Sequence, residues 1–511
     1  MRPTLLALTC IAIALGILLR FGHLDRKVFW LDEVATAWTV SGYTENEVDA
    51  ALVERPGLKP AQVLYFQNGG GGRPIMATVQ ALARGDAEHT PLYYLGLHQW
   101  RGLFGTSVAA TRAFSAFIGV LMIPAMYFLC VLLFDSALTG WIAMALLSVS
   151  PYFLYYAQDA REYSLLALLV LLSSSALLYA RRRQTAFAWS LYSLSAMAGL
   201  YVSLLFFGTL AAHSGYVLLT SRATRGAEKR FLIAGGLALI ASLPWLGIAA
   251  RQSHEISADL AWIKGSPGIP AYFASLAGHF AGLFFYTGWS LRIWSLVGVC
   301  VAVCCALAVR HGLRHADPGC RVFILLCGLM PAAILIGADL FTGGQRGITA
   351  RYLIQMYLVV IMCVGFALAS AIAAAPNRRQ AMAWAGVLAA VLVAGGWSCA
   401  VESGRTAAWD SLRNAYVVGA AAFINEHPPA LLLVEDYRHN LLDLSVLSHA
   451  LGGEVVIDLF RQRSRAMSRP GQTVVVFNPS PGWTAGLERQ KPGLHLLPLG
   501  KGFPIFQLVA P

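Results

Sequence analysis

The feature that most constrains this chain is a series of uninterrupted apolar blocks, each long enough to cross the ~30 Å hydrocarbon core of a bilayer at about 20 residues per helix. They lie near residues 4–20, 111–134, 137–156, 162–180, 185–200, 201–220, 231–250, 291–309, 322–341, 352–372 and 381–400. That pattern predicts an all-α polytopic membrane protein of about eleven spans. Composition agrees: 57% of the 511 residues are hydrophobic and only 13% charged, about half the ~25% charge of a soluble domain. A water-soluble globular enzyme and a disordered chain are both excluded. Arg2 precedes the first block and no small-residue cleavage site follows it, so it reads as a retained anchor.

The net charge of +12 invites a nucleic-acid reading, but the placement of the charge argues for topology instead. Arg181, Arg182 and Arg183, then Arg222, Arg225, Lys229 and Arg230, then Arg310, Arg314 and Arg321, then Arg378 and Arg379 fall on alternate connections. The positive-inside rule makes those connections cytoplasmic together with Arg2, and they are read as topology signals only. The opposite face then receives the 21–110 loop, the 158–162 turn, the 251–290 and 342–351 loops and the C-terminal tail. Two domains are expected. Residues 1–400 form the transmembrane domain, with interfacial helices in the first loop; one is the short apolar stretch 92–104, interrupted by His98 and Arg101. Residues 401–511 regain soluble character and predict a small extracytoplasmic α/β domain, with strands at 431–434, 455–457, 473–477 and 505–509 and a helix at 441–450. None of the nine cysteines lies in a long polar segment, so no disulfide framework is implied. The Gly69–Gly72 run lacks the Gly-Lys-Ser/Thr ending of a phosphate loop and reads as a flexible surface loop.

Polar groups beside apolar spans are costly, so those gathered on one membrane face are functional candidates. Four clusters share the non-cytoplasmic face: residues 29–37 with Asp32 and Glu33, 88–94 with His89, 155–163 with Asp159, Arg161 and Glu162, and 343–346 followed by 350–353 with Arg351 and Tyr352. Carboxylates, guanidinium groups and an imidazole at one depth suit sugar transfer from a lipid phosphate. A carboxylate can deprotonate an acceptor hydroxyl, while Arg and His hold a phosphate and neutralise the charge that grows on it. A single inverting displacement needs one base rather than the carboxylate pair of glycosidases.

Trp30-Leu31-Asp32-Glu33, His89-Thr90-Pro91-Leu92, Gln158-Asp159-Ala160-Arg161-Glu162-Tyr163 and Arg351-Tyr352-Leu353 together resemble the signatures of the GT-C membrane glycosyltransferases. The branch they resemble is that of the dolichyl-phosphate-mannose protein mannosyltransferases and lipid A aminoarabinose transferases. The resemblance covers roughly residues 1–400; Thr90 departs from it by replacing the first proline of the usual His/Lys-Pro-Pro-Leu pattern. It implies Asp32 as general base, with Glu33 orienting it or binding substrate. It implies His89 near the donor phosphate, and adds Arg161, Arg351 and Arg346 as further phosphate candidates, with Glu88, Asp159 and Tyr352 around the substrate. It leaves room for a divalent metal ion near Asp32 and Glu88. The implied partners are a polyprenyl-phosphate-linked sugar donor, a glycolipid, glycan or protein acceptor, and the lipid bilayer. The implied setting is a bacterial inner membrane, with the N-terminus cytoplasmic and the site periplasmic.

Blander readings stand beside these. Asp32 and Glu33 would also suit the first turn of any helix, Arg161 and Arg351 would suit snorkelling anchors, and Asp159 and Glu162 would suit local partners of Arg161. His254, Glu255, His279, Glu435, Asp436 and His439 are expected to be solvated. The competing function is a transporter or flippase of lipid-linked sugars, against which stands the absence of paired halves or broken midspan helices.

Overall fold

The computed structural model describes residues 3–53, 55–220, 226–265, 267–286, 291–406, 415–437, 440–461, 473–490, 494–499 and 502–509. The chain separates into two compact units. The first comprises Met1–Leu24, Ala87–Tyr93 and Arg112–Gly404; the second comprises Asp25–Asp86, Tyr94–Thr111 and Arg405–Pro511.

The first unit is a helical membrane body. Among the described residues eight helices are long and apolar enough to cross a bilayer, or nine if the bent pair Ala137–Ser148 and Pro151–Ala157 forms one span. The expected count of about eleven is not reproduced, and the reason is local. The blocks at 185–200 and 201–220 become the helices Ala186–Leu200 and Phe206–Leu219, of 15 and 14 residues, each short of a full crossing. The backbone between them is irregular because it is used elsewhere: Ser203 bridges His89 and the Tyr201 carbonyl accepts from the Leu92 amide at 2.9 Å. A further apolar helix of 16 residues, Ile269–Phe284, lies within the stretch expected to be a loop. His279 on that helix is buried and bonded through Nδ1 to the Tyr357 hydroxyl at 3.0 Å, not solvated.

Sequence reading found no Pro-broken helix among the spans; the pair bent at Pro151 corrects that, and its bend has a clear cause. Pro151 opens the second helix, where its missing N–H costs nothing, and the two axes diverge by 63°. A break inside a membrane strands carbonyl groups that water cannot reach. The guanidinium of Arg20, fully buried at the end of the helix Pro3–Phe21, answers them. Its Nη1 donates to the Ser148 carbonyl at 2.7 Å and the Gly16 carbonyl at 2.8 Å, and its Nη2 to the Leu147 carbonyl at 3.2 Å. Gly16 permits the approach, since a Cβ there would sit 2.2 Å from the Ser148 oxygen. The contact is returned further on: Gln158 Nε2 donates to the Leu19 and Gly22 carbonyls, both at 2.9 Å, capping the helix that carries Arg20.

In the second unit, residues beyond Arg405 build the expected α/β domain. Among the described residues the strands are β1 Leu431–Glu435, β2 Ile457–Phe460, β3 Val474–Phe477, β4 His495–Pro498 and β5 Ile505–Val509, ordered β2-β1-β3-β5-β4. β1 runs parallel to β2 and β3, and β5 antiparallel to β3 and β4. β4 escapes sequence reading because it is a short, largely exposed edge strand without apolar alternation. The stretch 92–104 forms the helix Pro91–Phe104 as expected, and 441–450 forms the helix Asn440–Ser448. Glu435 is buried rather than solvated, and its carboxylate accepts from the Ser480 amide at 2.7 Å and hydroxyl at 2.9 Å. Asp436 accepts from Arg461 Nε at 2.9 Å. His254 and Glu255 are exposed, and His439 lies outside the described residues. The glycine run is a turn tied down by the Tyr43 hydroxyl, which donates to the Gly70 carbonyl at 2.6 Å.

Replacing Arg20 by Met removes charged donors from three carbonyls at once, which is expected to cost on the order of 3 kcal/mol. Thermal unfolding of the purified protein should show a lowered midpoint. An unchanged midpoint would mean that the broken span holds its bend without this cap.

Candidate functional site

The membrane unit brings Glu88, His89, Arg161 and Glu162 together. Each is positioned by backbone pinned elsewhere. The Trp245 indole donates to the Ala87 carbonyl at 3.2 Å, and the Ser203 bridge fixes His89 itself. The 158–162 turn follows the bent span, and its Arg161 carbonyl accepts from the Ser115 hydroxyl at 3.4 Å, which in turn meets the Tyr93 hydroxyl at 2.8 Å.

Geometry sets the tautomer of His89. Arg161 Nη2 lies 2.9 Å from Nε2, and a guanidinium can only donate, so Nε2 is the acceptor. Nδ1 then carries the proton and faces Glu162 Oε1 at 3.2 Å. The result is a directed chain from Arg161 through a neutral imidazole to Glu162, closed by Arg161 Nε at 3.5 Å from Glu162 Oε2. Glu88 Oε1 stands 3.4 Å from Nε2. Burial by itself would raise the Glu162 carboxyl, but Arg161 and His89 outweigh it and hold it down to about 2. Arg161 and Glu162 are both buried, so neither behaves as a snorkelling or solvated group. Asp159 is also buried and lends its carbonyl to the Arg161 amide at 2.8 Å.

Arg351 and Tyr352 sit in the 3-10 turn Ala350–Leu353, whose Ala350 carbonyl accepts from the Tyr152 hydroxyl at 2.8 Å. The Arg351 guanidinium lies 5.6 Å from the ring centres of both Tyr163 and Trp262, and 5.8 Å from that of Tyr352. Tyr163 directly follows Glu162, so the aromatic ring links the two basic groups. Arg351 and Tyr352 also border a cavity of about 220 Å³ whose other walls are mostly apolar, among them Leu166, Leu204, Leu205, Ile334 and Ile354.

Arg346 is placed differently. Its Nη1 lies 3.1 Å from Asp339 Oδ1, while Asp339 Oδ2 accepts from the Gly347 amide at 2.6 Å and the Tyr272 hydroxyl at 3.0 Å. Sequence reading missed Asp339, although an acid inside an apolar helix is itself a signal.

In the second unit, Asp32 and Glu33 occupy the first turn of the helix Leu31–Val40 and part company there. Glu33 is fully buried and accepts from the Trp30 amide at 3.3 Å, whereas Asp32 is half-buried. The far end of this helix is held through the Val40 carbonyl, which meets the Thr78 hydroxyl at 3.0 Å and His98 Nδ1 at 2.9 Å, and through the Ala37 carbonyl, which accepts from Arg101. The helix also packs against Asn440–Ser448 of the tail. There the His449 ring lies 5.0 Å from that of Phe29, and its Nε2 is 2.7 Å from Gln67 Oε1. Phe29 belongs to the first cluster read from the sequence, but no local spacing links it to Gln67 and His449, so neither of those two stood out.

No family model matches the chain, and no curated protein matches it. Solved structures do. ArnT from Cupriavidus metallidurans bound to undecaprenyl phosphate aligns with a TM-score of 0.56 at 14% identity, covering 98% of this chain and 97% of that one. ArnT from the same organism in the apo state gives 0.54 at 15% identity over the same shares. The archaeal oligosaccharyltransferase AglB from Archaeoglobus fulgidus, in complex with an inhibitory peptide and a dolichol-phosphate, gives 0.50 at 13% identity, covering 88% of this chain and 64% of that one. At such identities the likeness is one of architecture: this chain is a membrane protein with the GT-C fold.

Proposed function

We propose that the chain is a membrane glycosyltransferase that moves a monosaccharide from a polyprenyl-phosphate donor to an acceptor hydroxyl. The observation that carries this reading is the cluster of Arg161, His89 and Glu162 beside Arg351, with Arg351 heading an apolar cavity in the membrane unit. Guanidinium groups suit a phosphate, and an apolar groove suits an isoprenyl chain. The ArnT neighbour was solved with undecaprenyl phosphate and AglB with dolichol-phosphate, which are ligands of that kind.

In the proposed reaction the acceptor oxygen attacks the anomeric carbon while its proton passes to the Asp32 carboxylate. The carbon–oxygen bond to phosphate breaks, and polyprenyl phosphate departs with the electron pair. Arg351, Arg161 and His89 stabilise the charge that grows on the departing phosphate. Glu33, buried and engaged with the Trp30 amide, orients the turn that carries Asp32. Glu88, Asp159 and Tyr352 surround the sugar and phosphate, and Arg346 acts behind them. The basic connections suit the cytoplasmic side, which supports a reaction on the opposite face; a bacterial inner membrane with a periplasmic site is part of the same proposal. The domain reading of 1–400 for transfer and 401–511 for a periplasmic module belongs to the same proposal, as does a glycolipid, glycan or protein acceptor.

Purified protein given radiolabelled polyprenyl-phosphate monosaccharides and total membrane acceptors should transfer label. Asp32→Asn should slow that transfer by about 10³-fold, the weight of a positioned base. Transfer that survives Asp32→Asn intact overturns the assignment of the base. Labelled lipid that crosses reconstituted vesicles equally well with both proteins, without transfer, overturns the enzyme and leaves a flippase.

Glu162 generates a pH signature. A carboxyl held down in the folded state contributes stability that is complete above about pH 4.5 and is lost as the pH falls through about 2. The difference in thermal midpoint between wild type and Glu162→Gln should therefore be constant above pH 5 and shrink below about pH 4.5. A difference that stays flat into strong acid would mean that Arg161 and His89 do not hold this charge.

A further inference from the structure

At the opposite end of the helix Tyr163–Arg183 from the cluster described above, the membrane unit contains a second cavity, of about 470 Å³. With 21 residues in that helix, the separation is about 30 Å. Its walls come from four segments: the end of Val108–Phe134, the end of Tyr163–Arg183, the end of Phe206–Leu219 with Thr220, and the start of Pro318–Phe323. Two arginines of the run that sequence reading assigned to topology alone, Arg181 and Arg182, line it.

A topology signal needs only charge in the headgroup region, with the guanidinium turned outward to water. Arg181 does the reverse. It is buried, its Nη1 donates to the Thr220 hydroxyl at 2.6 Å and its Nη2 to the Thr220 carbonyl at 3.0 Å, and the guanidinium lies 4.9 Å from the Tyr216 ring centre. Arg182 donates to the Leu132 carbonyl. Hydroxyl, carbonyls and ring thus hold two cationic forks at one cavity. Asp317 is the one acid among its lining residues. The remaining wall is largely aliphatic, from Leu132, Leu178, Leu219 and Val322.

We propose that this cavity binds the headgroup of an anionic phospholipid, its phosphate on Arg181 and Arg182 and the start of its acyl chains along the leucines. Planar guanidinium groups match phosphate oxygens in pairs. Basic cavities between spans at the cytoplasmic end suit anionic headgroups. The aliphatic wall and the position at the ends of the spans favour a lipid over a soluble phosphate. The site is independent of the transfer reaction, and its test does not use it.

Full-length protein, delipidated in a neutral detergent, is titrated in mixed micelles with phosphatidylglycerol, and the thermal midpoint is followed. Parallel titrations use phosphatidylcholine and inorganic phosphate. A saturable rise is expected with phosphatidylglycerol alone. Arg182→Gln, at the more exposed of the two arginines, should weaken it about tenfold. Arg183→Gln, which removes the same charge from a residue outside the lining, should leave it intact. Asp317→Asn removes the opposing charge and should tighten it, which keeps the test decisive if the arginine variant folds poorly. Equal responses to phosphatidylcholine, or equal losses in Arg182→Gln and Arg183→Gln, overturn the proposal. A rise produced by inorganic phosphate alone overturns the lipid and leaves a site for a free anion.

Discussion

The bent span depends on one buried guanidinium. A helix broken inside a bilayer exposes carbonyls that nothing in the lipid can satisfy, and Arg20 supplies the donors from a neighbouring helix. Around that contact the chain turns by 63° between Ala137–Ser148 and Pro151–Ala157. The residues Gln158 to Glu162 follow from that turn. Gln158 then caps the helix that supplied Arg20, so the bent pair and that helix end hold each other. A charged residue in a span is often read as part of a reaction path; here its bonds go to backbone carbonyls.

The cluster downstream shows how burial and charge balance. Desolvation opposes an ionised Glu162, and two neighbours overcome it. Within this arrangement the imidazole of His89 is a relay with a fixed direction, since Arg161 occupies one nitrogen and Glu162 the other. Glu88 brings a second carboxylate to within 3.4 Å of Nε2. Arg346 has Asp339 as its own counter-charge, whereas Arg351 is framed by aromatic rings at the edge of an apolar cavity. Two arginines near one another in sequence therefore present different electrostatics, and their spacing alone does not reveal it.

How far the sequence could be read follows from the range of the interactions. Hydropathy is local, so the spans, the short helix at 92–104 and most strands of the tail are legible. The departures occur where a local signal is overridden. The two blocks at 185–220 are apolar enough for full spans, but their shared connection is spent on His89 and Leu92. Glu435 looks solvated until Ser480, 45 residues on, places an amide and a hydroxyl on it. The motifs around His89 and Arg161 are visible because costly residues gather in short stretches. Asp339, Gln67 and His449 are each isolated in sequence, and only folding gives them partners.

The adjacent acids Asp32 and Glu33 differ in what surrounds them. Adjacent side chains on a helix diverge by about 100°, and Asp32 and Glu33 show the consequence: one is withdrawn into the start of its helix and the other stays accessible. The helix is held at both ends, by Glu33 at the start and by Thr78, His98 and Arg101 at the finish.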